Sequence, residues 1–422
     1  MHHIAMRNGV MHAEEVDVSQ LAAEIGTPFY CYSTATLKRH YDVFDTAFSG
    51  LPRLICYSVK ANSNQAVLKT LAQIGAGMDV VSGGELRRAR SAGVAPGKIT
   101  FSGVGKTRDE MAFALGLGIL CFNVESEPEL TALSELAQTA NRTAHIAFRV
   151  NPDIDAKTHT KISTGRAENK FGIPISRARA VYAHAATLPG VTIRGIDIHI
   201  GSQITDLAPF DAAFALIADF VRVLRADGHV IEHLDLGGGL GIPYAHWEDP
   251  ESYHPERYAD IVKARLSPLD CRLIFEPGRL IVGNAGILVT SVLFVKRGEA
   301  KTFVIVDAAM NDLIRPTLYD AYHEIVPVRP RKESPQLIAD IVGPVCETGD
   351  YFALSRKIAE PSPGELLAIM SAGAYGAVQA GTYNSRLLVP EVLVNGNQYC
   401  IIRPRETYEE LIGLDKIPAW LA

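Results

Sequence analysis

The sequence predicts an α/β protein: a (β/α)8 barrel of the TIM type plus a second, mainly β domain. Three observations lead there. Eight short apolar runs alternate with amphipathic stretches between about residues 54 and 280. Alternating βα units read as a parallel sheet, and eight of them read as a closed barrel. Each run ends on something reactive or flexible. From Gly286 onward the pattern changes to alternating segments broken by turn signals.

The elements follow in order. The opening Ile4–Met11 carries Asn8-Gly9, a strong hairpin signal. The barrel runs are Leu54–Val59, Met78–Val81, Ile99–Ser102, Ile119–Val124, His145–Asn151, Gly195–Ile200, His233–Leu236 and Leu273–Glu276. Helical stretches such as Asn64–Ile74 and Phe210–Arg225 lie between them. Pro152–Lys170, which includes Thr158, His159 and Gly165, reads as a mobile lid. After the barrel, Ile287–Val295, Thr302–Val306, Gln336–Val342, Leu366–Ser371 and Val389–Val394 read as strands, with breaks at Arg297-Gly298 and Asn395-Gly396. Pro327–Pro335 reads as a surface loop. The expected domains are residues 33–285 for the barrel, and residues 1–32 with 286–422 for the β-rich part.

Composition narrows the function classes. The chain has 422 residues, 47% hydrophobic and 21% charged, an ordinary globular balance too long for one small core. A net charge of −6 without a basic run argues against nucleic acid as a partner. No stretch approaches the ~20 apolar residues of a membrane span, and the first residues lack a signal-peptide core. The six cysteines stand singly, without a Cys-x-x-Cys pair. That fits a reducing cytoplasm and speaks against a zinc site, so no metal is expected.

In a barrel the C-terminal ends of all strands open on one face, where active sites are built. Here those ends carry Lys60, Asp79 with Ser82-Gly83-Gly84, Ser102-Gly103 and Asn123. They continue with Arg149 and Asn151, His199 with Gly201-Ser202, Gly237-Gly238-Gly239, and Glu276-Pro277-Gly278-Arg279. A lysine closing an apolar strand is desolvated, which lowers its pKa and frees a nucleophilic amine; the competing reading is a lysine snorkelling at the rim. The glycine run lets backbone N–H groups face a phosphate, as loops after strands seven and eight often do, although tight turns also use glycine. Glu276 is suited to hold a pyridine nitrogen protonated, or to pair with Arg279 at the surface. His199 shares a strand face with Asp197, either as a satisfied core histidine or lying flat on a planar cofactor. Cys346-Glu347, Arg315-Pro316-x-x-Tyr319 and Ala372-Gly373-Ala374-Tyr375-Gly376 identify no function by themselves.

Taken together, these motifs resemble the fold-type III pyridoxal-phosphate decarboxylases of the alanine-racemase-like barrel superfamily, and among them the diaminopimelate decarboxylase family. The residues carrying the resemblance are Tyr57-Ser58-Val59-Lys60-Ala61-Asn62, Asp79-Val80-Val81-Ser82-Gly83-Gly84-Glu85-Leu86, Arg149-Val150-Asn151-Pro152 and Lys170-Phe171-Gly172. His199-Ile200-Gly201-Ser202-Gln203, the triple glycine, Glu276 to Arg279 and Cys346-Glu347 extend it over nearly the whole chain. The resemblance implies pyridoxal 5'-phosphate as cofactor, held covalently by Lys60. Asp79 would join the cofactor site, His199 would stack on the ring, and Glu276 would meet its nitrogen. Ser202, Gly238, Gly239, Gly278 and Arg279 would hold the phosphate, with Tyr375 nearby.

The resemblance further implies decarboxylation of meso-2,6-diaminopimelate to L-lysine, the last step of lysine biosynthesis. Cys346 would return a proton to the α-carbon. Arg279, Arg315, Tyr319, Glu347 and Tyr375 would bind the substrate. It also implies a homodimer in which each active site takes Cys346 and Glu347 from the other subunit. The alternatives are a same-fold decarboxylase for another diamino or carboxylated polyamine substrate, an alanine-racemase-like enzyme, which would carry arginine at the ring nitrogen, and a non-catalytic cofactor-binding protein.

Overall fold

The computed structural model describes residues 3–156, 158–162, 164–165 and 168–421. It divides into two compact units, one of Lys38–Pro243 with Asp249–Ile281, the other of Met1–Leu37, Tyr244–Glu248 and Val282–Ala422.

The first of these is the barrel. Its eight parallel strands are Arg53–Ser58, Gly77–Val80, Ile99–Phe101, Cys121–Val124, Ala144–Asn151, Val191–Asp197, His233–Asp235 and Arg272–Phe275. Each pairs with the next, and the ring closes where Leu273, Ile274 and Phe275 meet Arg53, Leu54 and Ile55. Strands of this kind are buried on both faces, which is why they read as continuous apolar runs rather than alternations. Outside the eighth strand, Phe275 packs on Phe48 with ring centroids 4.2 Å apart, and Phe44 and Tyr258 complete the cluster. Each buried ring of this size stabilises the unit by about 1.5–3 kcal/mol.

Short polar side chains start the helices just after the strand ends. Asn64 caps Gln65–Gln73 through the Ala66 N–H, and Ser82 caps Gly83–Ser91 through the Glu85 N–H. Thr107 forms a capping box with Glu110, and Ser126 caps Glu127–Thr139. Such caps are worth about 1 kcal/mol each and fix where the loops leave the sheet. The loops at the functional face are therefore tied down at their helical ends.

One strand departs from the sequence reading. The sixth runs over Val191–Asp197, not Gly195–Ile200, so His199 lies beyond the strand rather than on its face with Asp197. Val191–Arg194 is only half-buried, which hides it from a search for apolar runs, and the register shifts between Ile193 and Gly195. Residues 157, 163, 166 and 167 of the stretch read as a lid lie outside the described residues. Around them, Ile154 N–H donates to Gly165 O at 2.9 Å and the Thr164 hydroxyl to His199 O at 2.9 Å.

The other unit is mainly β. Ile4–Arg7 and Val10–Ala13 form an antiparallel hairpin with Arg7 opposite Val10, so Asn8 and Gly9 make the turn, at φ values of 50° and 79°. Those positive φ values are what an Asn-Gly hairpin turn requires. A nine-stranded sheet is centred on Gly286–Arg297. Phe29–Ser33 pairs antiparallel with that strand and parallel with Glu391–Asn395, which sews the N-terminal segment into the C-terminal part. Ile4, Met11, Leu21, Phe29, Ile287, Val289, Val392 and Val394 form their shared buried core. The strand Tyr351–Ala359 escaped the sequence reading because only Phe352 and Ala353 are buried and it carries Ser355, Arg356 and Lys357.

Candidate active site

Lys60 lies in a single turn, Val59–Ala61, that follows the first barrel strand. Its Nζ is 3.4 Å from Asp79 Oδ2, with the lysine side chain 38% exposed and the aspartate fully buried. The desolvation expected for this amine is thus only partial. The buried Asp79 also accepts the Ser58 hydroxyl at 2.7 Å, which fixes the carboxylate facing the amine.

Glu276 and Arg279 are both buried, so the reading of a surface ion pair is wrong. Glu276 Oε1 accepts from Thr100 Oγ1 at 3.0 Å, Asn123 Nδ2 at 3.3 Å and Ser102 Oγ at 3.4 Å. Three donors from the third and fourth strand ends lock the carboxyl group. Burial pushes its pKa well up, and the neighbouring Asp235, Asp79 and Asp197 push it further, while Lys60 opposes them. Carboxylate oxygens of Asp197, Asp235 and Glu276 all lie within 4.8 Å of one another.

His199 Nδ1 accepts the Gly238 N–H at 3.2 Å, so that nitrogen carries no proton. Burial, with Arg149 and Lys60 nearby, holds the ring well below its usual pKa and therefore neutral. Arg149 pairs with the buried Glu125 at 3.1 Å and stacks on Phe171 at 4.7 Å, giving the histidine a rigid support.

The glycine loop is dictated by close packing. A Cβ on Gly238 would overlap the Glu276 carbonyl, and one on Gly239, at φ +105°, would overlap the Gly201 carbonyl. Arg279 donates to Ser202 Oγ at 3.2 Å, joining the loops after the sixth and eighth strands. Gly278 sits against Ala61 and Ser58, where a Cβ would approach to 2.9 Å and 3.2 Å. An amine, a neutral flat imidazole, a buried carboxyl group and a glycine-lined loop flanked by Ser202 and Arg279 fit the aldehyde, ring, ring nitrogen and phosphate of pyridoxal phosphate.

The remaining residues singled out in the sequence lie in the β-rich unit. Arg315 is buried and begins the short helix Arg315–Tyr319. Its Nη1 is 2.7 Å from His323 Nε2, and its guanidinium lies 4.7 Å from the Tyr244 ring centre. His323 Nδ1 is 2.8 Å from Met370 O, so Nδ1 carries the proton and Nε2 accepts from the arginine. Cys346 and Glu347 are exposed on a loop. Asp350 accepts the N–H groups of Val345 and Met310 at 2.6 Å each, Asn384 Oδ1 accepts the Cys346 N–H at 2.9 Å, and Tyr383 hydrogen-bonds to Glu347. Tyr375, half-buried, adopts a left-handed backbone with φ 54°.

Asp235, His323 and Tyr244 escaped the sequence reading. Asp235 alone had a visible signal, a charge between Leu234 and Leu236 inside an apolar run.

Comparison with known proteins agrees with this chemistry. The family described as "Pyridoxal-dependent decarboxylase, pyridoxal binding domain" matches residues 15–283, and the chain belongs to that class. Full-length relatives narrow it. The diaminopimelate decarboxylase of Zymomonas mobilis is 48% identical over 420 residues, covering 99% of both chains. That of Vibrio cholerae is 51% identical over 412 residues, covering 97% of both. The crystal structure of the M. jannaschii diaminopimelate decarboxylase in complex with L-lysine superposes with a TM-score of 0.94 at 37% identity, covering 99% of each chain. The Helicobacter pylori enzyme complexed with L-lysine gives 0.90 at 41% identity, over 94% of this chain and 99% of that one. The chain belongs to the diaminopimelate decarboxylase family.

Proposed function

We propose that this chain uses pyridoxal 5'-phosphate to convert meso-2,6-diaminopimelate to L-lysine and carbon dioxide. The observation that carries the substrate is full-length likeness to diaminopimelate decarboxylases at about half identity. The barrel geometry supplies matching chemistry. When bound, pyridoxal phosphate provides an electron-poor ring that accepts the electron pair left at the α-carbon as carbon dioxide departs.

The chain's own residues do the rest. Lys60 is the amine that would hold the cofactor's aldehyde carbon. Asp79, 3.4 Å from Nζ, would orient that amine. Neutral His199 would cover the ring face without adding a positive charge. Glu276 would hydrogen-bond the ring nitrogen. Ser202, Gly238, Gly239, Gly278 and Arg279 would hold the phosphate, and Tyr375 is assigned to the cofactor as well.

For the distal end of the substrate we assign Arg315, with Arg279 and Tyr319, to the carboxylate, and Glu347 to the ammonium. Cys346 is the acid that returns a proton to the α-carbon. We further propose a homodimer that exchanges Cys346 and Glu347 between subunits; their exposure in one chain supports this. Among the described residues no helix is long and apolar enough to cross a membrane, and all six cysteines are free. Those two facts support a cytoplasmic protein.

The test is purified chain incubated with meso-diaminopimelate, ornithine or a carboxylated polyamine. Lysine and carbon dioxide should appear from the first alone, and only when pyridoxal phosphate is present. Borohydride reduction followed by peptide mapping should tag Lys60. Turnover of another substrate without lysine formation refutes the substrate, and an untagged Lys60 refutes the mechanism.

A further inference from the structure

Glu276 does not stand alone at the floor of the barrel. Asp197 at the end of the sixth strand and Asp235 at the end of the seventh bring carboxylate oxygens within 4.8 Å of it and of each other. All three residues are buried. A buried carboxylate is costly unless paired or protonated, and three together cannot all ionise without a cation.

The cations near by are few and already committed. Lys60 pairs with Asp79, and Arg149 pairs with Glu125. The other groups facing the cluster are neutral: Thr100 and Ser102 on the third strand and its loop, Asn123 on the fourth, and the buried thiols of Cys56 and Cys121. Asp235 Oδ1 accepts the Gly237 N–H at 3.1 Å and Oδ2 accepts Asn123 Nδ2 at 3.1 Å. Asp197 Oδ1 is buried with no hydrogen-bond partner among the described residues. Packing alone does not call for a carboxylate at that position. Burial, then the charge of Asp235, pushes Asp197 and Glu276 well up, while burial raises Asp235 against a hydrogen bond to Glu276 that lowers it, so a proton held by the cluster rests on Asp197 or Glu276.

We infer that Asp197 and Asp235 are positioning residues acting through Glu276, the three carboxyl groups storing the proton that Glu276 passes to the cofactor's ring nitrogen and keeping it there. This deepens, and rests on, the reading of Glu276 as the ring-nitrogen partner. The proton balance closes within the site. An O–H bond of the cluster breaks, an N–H bond forms on the ring, and the cluster keeps the negative charge opposite the new cation. No external acid is needed. Asp197 and Asp235, within 4.8 Å of Glu276, make it a partner for a cation rather than for a neutral ring.

The experiment uses holoenzyme reconstituted with pyridoxal phosphate labelled with nitrogen-15 in the ring, whose chemical shift reports protonation directly. In the parent chain the nitrogen should stay protonated over roughly pH 6 to 10, while in Asp197→Asn its midpoint should fall by one unit or more, about tenfold in the ratio of protonated to free nitrogen. Asp235→Asn, the second variant, should shift the same way and decides the matter should Asp197→Asn fail to fold. A purely structural role would lower cofactor content without moving the midpoint of the cofactor that remains bound. Midpoints equal to the parent's in the folded variants overturn the inference. A parent nitrogen that is unprotonated throughout overturns the Glu276 reading itself, so the two failures are distinguishable.

Discussion

Gly238→Ala isolates the contribution of backbone proximity, because the new methyl group touches neither Lys60 nor the carboxylates directly. Gly238 has no left-handed backbone to satisfy, so the substitution acts through space alone. The added Cβ would fall inside contact distance of the Glu276 carbonyl oxygen and 3.1 Å from its carbon. Neither atom belongs to a flexible side chain. Relieving the overlap therefore moves the glycine loop away from the end of the eighth strand by roughly 1 Å, at an overpacking cost of about 1–3 kcal/mol. That displacement breaks the 3.2 Å hydrogen bond from Gly238 N–H to His199 Nδ1. It also shifts the Glu276 backbone. Misplacement on this scale costs up to about a hundredfold in rate, and cofactor affinity should weaken by a comparable factor. The assay is a fluorescence titration of cofactor-free protein with pyridoxal phosphate, followed by turnover at saturating cofactor. Gly97→Ala is the control: it lies in the same unit, has no positive φ and has nothing within 4 Å of the position its Cβ would take. If Gly238→Ala matches Gly97→Ala in both measurements, the loop does not approach the cofactor as argued.

Two further substitutions probe charge. Arg315→Lys keeps the cation but loses the planar fork that reaches His323 Nε2 at 2.7 Å and stacks on Tyr244. KM for the substrate should rise about 10- to 100-fold with a smaller change in kcat, and an unchanged KM removes Arg315 from substrate binding. Burial raises the Asp235 carboxyl from its usual 3.8 to about 6. The folded chain thus binds that proton more tightly than the unfolded one, and the resulting stability is full below about pH 4 and lost as pH rises through about 6. The whole effect is about 3 kcal/mol, of which about 1 kcal/mol falls between about pH 5 and 8. Over that interval cofactor-free Asp235→Asn should gain on the parent by about that amount in urea denaturation. A constant difference between the two refutes the assignment.

The fold was legible because its strands are buried on both faces. Leu54–Val59 and Leu273–Glu276 read as apolar blocks a residue from their true bounds, Arg53–Ser58 and Arg272–Phe275. Where one stretch of a strand is half-exposed, as at Val191–Arg194 and in Tyr351–Ala359, the block disappears and the strand is misread or missed. The site was legible to the extent that its residues end those blocks. Lys60, Asp79, His199, Ser202, Glu276 and Arg279 all do, and all lie in the barrel unit. Three-dimensional neighbours without a sequence signature were beyond reach. His323 orients Arg315 from eight positions away, and Asn384 accepts the Cys346 N–H across a separation of 38. The environment of Lys60 was read too simply, because a strand end is not fully desolvated and its aspartate partner lies one strand over.

The acidic floor of the barrel ties stability to function. Asp79, Asp197, Asp235 and Glu276 are buried together, and electrostatic repulsion among them disfavours the ionised state of the empty barrel. A ligand with a protonated ring nitrogen relieves that repulsion, so its binding free energy and the folding free energy draw on one interaction. By reciprocity, conditions that ionise the cluster should strengthen attraction for the cation even as they weaken the empty fold. Asn at Asp197 or Asp235 would ease that repulsion, yet would leave Glu276 without the neighbouring charge. The barrel thus gives up stability at the residues that face its cofactor, while its outer aromatic packing at Phe44, Phe48, Tyr258 and Phe275 holds the strands in place.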